Sequence, residues 1–190
     1  MKQKFRQLLT AICVLLFTTS LCWSQEQVTT SKSVPTYPQA TFDSELTQIS
    51  KDIQEKLRAT RPELSQGMIM SEAQFYLSDD SFDKVVDFYK DSFGIEEIKS
   101  IQELFASGNL PDQSKTIAFK VNAPLKQQAM VYKMTMGLDV DPEKFDGTSR
   151  SVFFAKGMKP ELQVQDGFIH PKTFEVIDKT IIILIKNKEK

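Results

Sequence analysis

The sequence predicts an α+β fold: a mostly antiparallel sheet with helices packed on one face, in a single domain. Three observations carry this. Helical periodicity is concentrated before Phe105, strand alternation dominates from Ile117 onward, and an unbroken apolar run, Ile181 to Ile185, lies near the end. Helices early and strands late point to segregated rather than alternating elements. With 190 residues, 41% hydrophobic and 26% charged, the composition is that of a globular chain of one ordinary domain.

Residues 1–24 read as a secretory signal. Lys2, Lys4 and Arg6 make a positive start, an apolar stretch runs from Leu8 to Phe17, and small polar residues follow. A membrane-spanning helix needs about 20 apolar residues, so this run is too short to span. Ser24 offers a small residue before a cut between Ser24 and Gln25, with cleavage after Ser20 the second choice. Leu21 and Ile12, which precede Cys22 and Cys13, are bulky where lipidation favours a small residue. Residues 25–34 form a polar leader without periodicity, and residues 35–190 form the α+β domain.

Within that domain the elements follow from spacing. Leu46, Ile49, Ile53 and Leu57 recur at helical intervals from Asp43 to Pro62. Met68 to Leu77 alternates as a strand. Ser78 to Ser81 supplies a turn and a helix cap, and Phe82, Val85, Val86, Tyr89 and Phe93 form an apolar stripe that Gly94 ends. A short helix is predicted over Glu96 to Phe105, and Ile117 to Val121 is a strand. Leu125 to Leu138 fits both periods; the longer alternation, through Met130, Tyr132, Met134 and Met136, favours strand. Asp139 to Arg150 reads as a charged loop, and Ser151–Lys156, Leu162–Val164 and Thr180–Lys186 as strands, the last suited to a central, doubly covered position.

Three stretches carry a resemblance. Pro35 to Ala40 contains Tyr37-Pro38-Gln39-Ala40, Ser78 to Lys90 carries the cap and the best helix, and Pro171 to Thr180 leads into the last strand. Together, over about 29 residues, they resemble a loose group of bacterial exported proteins with a YPxA entry and a D-S-x-x-x-V-V-x-F-Y-K helix. The resemblance implies fold and export, and no activity. Gln39 and Phe174 stand where that group often has glycine.

The chemistry is largely a set of exclusions. Both cysteines and the one tryptophan fall in the signal, so the chain from Gln25 onward has 166 residues and no thiol, with 21 basic against 25 acidic residues. That balance invites neither nucleic acid nor an anionic membrane. The seven glycines are too far apart for a phosphate-binding loop, and no G-x-S-x-G elbow exists. His170 is the only histidine, which rules out a structural zinc site and leaves no assigned catalytic residue.

Asp139, Asp141, Glu143 and Asp146 space their oxygens like a calcium loop, yet Lys144 and Arg150 stand where the turn glycine and closing carboxylate belong. Met68 with Met70, and Met134 with Met136, are two M-x-M pairs that read as gap-filling core methionines or as soft copper ligands. No metal and no cofactor is expected. Residues 41–114 carry 15 acids against 7 bases and residues 115–159 carry 8 bases against 4 acids. Placed on different faces, those segments would make the molecule dipolar and suit oriented docking.

The expected function is therefore an exported, periplasmic or extracellular, non-enzymatic domain. It binds or scaffolds an envelope or extracellular protein, with no stable membrane span after processing. The alternative is a small-ligand-binding protein or hydrolase whose site is built from Asp, Glu, Lys and Tyr.

Overall fold

The computed structural model describes residues 34–60, 71–106 and 111–187. The expected signal, the expected Ser24–Gln25 cleavage point, most of the expected leader and the Met68–Met70 pair lie outside the described residues. Nine strands and four helices follow one another as β1 (Thr41–Asp43), α1 (Ser44–Thr60), β2 (Ser71–Ser78), α2 (Phe82–Phe93), β3 (Ile98–Ser100), α3 (Ile101–Ala106), β4 (Thr116–Pro124) and α4 (Leu125–Met136). After a 3₁₀ turn at Pro142–Lys144 come β5 (Thr148–Lys156), β6 (Lys159–Asp166), β7 (Phe168–Ile169), β8 (Val176–Ile177) and β9 (Thr180–Asn187). Seven strands form one sheet in the order β1-β2-β9-β6-β5-β4-β3, and β7 pairs with β8 alone. Every pairing is antiparallel except β3 with β4. The α+β class and the mostly antiparallel sheet are as the sequence predicts.

The helices divide between the two faces of the sheet instead of sharing one. Helix α2 packs Val85, Val86 and Tyr89 onto Ile182, Val164, Leu162, Val152 and Phe154. The other face takes Leu46 of α1 against Phe75, Ile181 and Ile183, and Ile101 and Leu104 of α3 against Phe119 and Phe153. Successive side chains of a strand point to opposite faces, so β5 and β9 need apolar residues at consecutive positions. Val152 to Ala155 and Ile181 to Ile183 are buried without a break. A strand apolar on both sides has to be covered on both sides.

Two segments depart from expectation. Leu125 to Met136 is a helix, not a strand. Leu125, Ala129 and Tyr132, at i, i+4 and i+7, are buried, while Met130 and Met134 of the competing alternation are exposed. The segment is rich in Leu, Lys, Gln, Ala and Met, all good helix formers, and Gly137 closes it in the left-handed conformation at φ 64°. The helix expected from Glu96 starts only at Ile101. Ser100 Oγ accepts the Glu103 N–H at 3.2 Å and Glu103 Oε2 accepts the Ser100 N–H at 2.6 Å. This reciprocal cap fixes the helix start, leaving Ile98–Ser100 as an edge strand.

Helices α1 and α2 begin where the sequence places them. Asp43 Oδ1 accepts the Leu46 N–H at 2.8 Å and caps α1, Ser81 caps α2, and Gly94 closes α2 at φ 64°. Strand β5 begins at Thr148, inside the expected loop, and β6 extends beyond Leu162–Val164 in both directions.

Candidate functional site

The three stretches that carry the resemblance meet at Asp80. Its carboxylate accepts the Tyr37 hydroxyl on Oδ2 at 2.7 Å and the Lys84 ammonium on Oδ1 at 2.7 Å. Its carbonyl accepts the Thr180 hydroxyl at 2.8 Å, and its N–H donates to Ser78 Oγ at 3.2 Å. Beside it Lys179 pairs with Asp79 at 2.9 Å. Residues 43 and 100 positions away from Asp80 in sequence thus converge on one turn between β2 and α2.

The electrostatics of this cluster run away from neutrality. Hydrogen bonds from Lys84 and Tyr37 hold the Asp80 carboxyl below its ordinary value. Burial, together with the bond to Asp80, pushes the Tyr37 phenol up to about 12. Asp80 stays ionised and Tyr37 stays protonated throughout the physiological range. A general acid or base works best with a pKa near the working pH, so this pair is suited to fastening and not to proton transfer.

Other charged residues are also committed to the fold. Arg150 donates to Asp166 Oδ2 through Nη2 at 2.6 Å and Nε at 3.1 Å, while its guanidinium lies 4.5 Å from the Phe82 ring centroid. It joins β5 and β6 to the start of α2. The imidazole of His170 accepts two backbone N–H groups on Nδ1, from Lys172 and Thr173, each at 3.2 Å. It thereby organises the turn between β7 and β8, which Lys172 ties to Glu45 of α1 at 3.0 Å. In the same turn Phe174 adopts φ 58°, and it is the only non-glycine residue with positive φ among those described. The backbone there takes a left-handed conformation at a residue that carries a Cβ. No such conformation occurs at Gln39.

On the face opposite α2, a row of neutral polar side chains crosses the middle of the sheet. Gln163 Nε2 donates to Ser151 Oγ at 3.2 Å and to Gln165 Oε1 at 2.8 Å, and Gln165 Nε2 donates to Ser149 Oγ at 2.9 Å. All four residues are buried. The register sets Gln163 between Ile183 and Phe153, and Gln165 between Ile181 and Ser151. Buried polar groups are costly unless bonded, and here they satisfy one another.

Sequence reasoning missed this row because Leu162-Gln163-Val164-Gln165 alternates like a strand with one wet face. Only the cover over the second face makes the glutamines internal. It also missed the convergence at Asp80, for which the signal was present: Tyr37, Asp80 and Thr180 fall in the three resembling stretches.

The acidic segment is a local cap. Asp141 Oδ1 accepts the Glu143 N–H at 3.2 Å and begins the 3₁₀ turn. Among the described residues no three His, Cys, Asp or Glu side chains are grouped to hold a metal ion. Met134 lies exposed on a helix, so the strand alternation that would align an M-x-M pair there does not exist. Nor does the charge asymmetry separate by face, since the acid-rich segment supplies α1 and α2 to opposite sides of the sheet. Among the described residues no helix is long and apolar enough to cross a membrane.

No protein-family model matches the chain, and no curated protein or solved structure matches it either.

Proposed function

We propose that this chain is an exported, non-catalytic domain that binds or scaffolds another component of the cell envelope. The observation that carries the reading is the Asp80 cluster, whose charged and hydroxyl groups are taken up in fastening Tyr37, Lys84 and Thr180 to one turn; the shifted groups run the same way. Tyr37, Tyr89 and Tyr132 are raised, and Glu45, Asp80, Glu103 and Asp112 are lowered. No shifted group among the described residues moves toward neutral pH, which is the usual mark of a residue tuned for acid–base work. The Asp80 cluster, the most connected charged group described, is spent on joining segments of the fold. Export rests on the amino-terminal pattern and the resemblance.

The rival reading is a small-ligand-binding protein or hydrolase with a site built from Asp, Glu, Lys and Tyr; the buried Ser149–Ser151–Gln163–Gln165 row does not favour it, because its amides and hydroxyls bond to one another.

Photo-crosslinking of the exported protein in cells separates these readings. A crosslinking residue is placed in turn at the exposed positions Asp87 on α2, Met134 on α4 and Phe42 on β1. The binding reading expects one discrete protein adduct, formed from one of these surfaces and absent from the others. Turnover of an ester, glycoside or phosphoester by the purified chain, abolished in Asp80→Asn, overturns it.

A further inference from the structure

Helix α4 buries Leu125, Ala129 and Tyr132 and turns its other side to solvent. On that outer side two methionines sit one helical turn apart. Met134 is 61% exposed and Met130 38%, whereas Met158, next to the β5–β6 turn, is only 6% exposed. Methionine is a good helix former, but so are Lys, Gln and Glu, and a position as exposed as Met134 gains little in packing from a thioether. What the thioether brings is a polarisable sulfur lone pair that attacks two-electron oxidants.

We propose that Met134 and Met130 form a surface site of reversible oxidation, taking up one oxygen each from peroxide-class oxidants ahead of the methionine in the core. In the step, the sulfur lone pair attacks one oxygen of hydrogen peroxide and the O–O bond breaks. Sulfur becomes a sulfoxide, the peroxide is reduced, and the second oxygen leaves as water with both protons. The product returns to methionine by thiol-dependent sulfoxide reduction.

Position on the helix explains why the fold tolerates the change. A sulfoxide is polar and strongly hydrogen-bond accepting, which disrupts a core but suits a solvated surface. The flanking outward residues Lys126 and Lys133 are also exposed, and α4 contains no acidic residue. No carboxylate of α4 itself lies beside the new oxygens. Oxidation changes this face from apolar–basic to polar–basic while leaving the buried Leu125–Ala129–Tyr132 side untouched.

The test treats the purified chain with graded hydrogen peroxide and follows each methionine by peptide mapping with fragment-ion assignment. The comparison is among Met130, Met134 and Met158. The proposal expects a gain of about 16 Da, one oxygen, at Met134 first and Met130 next. At the dose that completes both, Met158 stays unmodified, the melting temperature is unchanged, and a sulfoxide reductase mixture restores the starting mass. Met130→Leu/Met134→Leu should fold equally well and lose both early modifications. Oxidation of Met158 in step with Met134 overturns the proposal. So does a melting temperature that falls as Met134 is modified, or a Met134 that resists peroxide while a free methionine peptide in the same tube is consumed.

Discussion

Three tyrosines, each nearly or wholly buried, differ in what their hydroxyls meet, and the same substitution separates them. Tyr132 donates to the Ile169 carbonyl at 2.8 Å and accepts from Gln128 Nε2 at 3.1 Å. Tyr132→Phe leaves a buried carbonyl short of a donor and should cost about 1–3 kcal/mol. Tyr37→Phe loses one bond at a part-buried site and should cost about 1 kcal/mol. The Tyr89 hydroxyl is sealed from solvent and, among the described residues, makes no well-formed hydrogen bond, the backbone of Tyr37 being its nearest polar neighbour in the electrostatics. Tyr89→Phe removes an unsatisfied polar atom while keeping the ring among Phe88, Phe93 and Phe154, and should raise stability by about 1 kcal/mol. Denaturant midpoints of the three variants check the order. A loss of stability in Tyr89→Phe would show that its hydroxyl has a bonded partner in solution.

Phe174 allows a second comparison at the same scale. Its φ of 58° is costly for a side chain with a Cβ, and its ring packs against the Leu125 cluster. Phe174→Ala and Phe174→Gly both remove the ring, but only glycine relieves the backbone. The glycine variant should be more stable than the alanine variant by about 1–2 kcal/mol, the reverse of the order at an ordinary position. Equal melting temperatures would place Phe174 outside the left-handed region.

Elements are where the sequence was most and least informative. Helix α2 was legible from its cap to its closing glycine, because Ser81, the apolar stripe and Gly94 all agree. Val85 is wholly buried at its centre, and Val85→Ala should lower stability by about 1–3 kcal/mol in chemical denaturation, through lost burial and the cavity left behind. Met134→Gln on the outer side of α4 should change it by less than about 0.5 kcal/mol. Helix α4 was misread because its apolar residues satisfy two periods at once, and only the intrinsic preference of Leu, Lys, Gln and Met breaks the tie. The division of helices between faces was written in the consecutive apolar residues of β5 and β9. Double cover of β9 already requires helices on both sides of the sheet. The polar row at Gln163 was illegible for a stronger reason: no local pattern distinguishes a glutamine facing water from one facing the interior.

At the scale of the whole molecule, the shifted groups fix how stability depends on pH. Glu45, Asp80, Glu103 and Asp112 have folded values below their ordinary ones, held there chiefly by hydrogen bonds from Lys172, Lys84, Ser100 and Ser114. Their contribution is present above the ordinary carboxylate range and is lost as pH falls through it, because the unfolded chain takes up protons first. The tyrosines act with the opposite sign. Tyr37 and Tyr89 are raised to about 12 from an ordinary 10.0, and Tyr132 is raised by burial as well. Their contribution is complete below pH 10 and drains away between about 10 and 12, where the unfolded phenols have ionised and the folded ones have not. The thermal midpoint should therefore fall as pH drops through the ordinary carboxylate range and fall again as pH rises above about 10. Asp80→Asn should soften the acid limb and, by removing the charge that opposes phenolate formation at Tyr37, move the alkaline limb to higher stability relative to its own plateau. Scanning calorimetry across this range reads both limbs. A midpoint that holds or rises between about pH 10 and about pH 12 would show that the buried phenols are not raised in the folded chain.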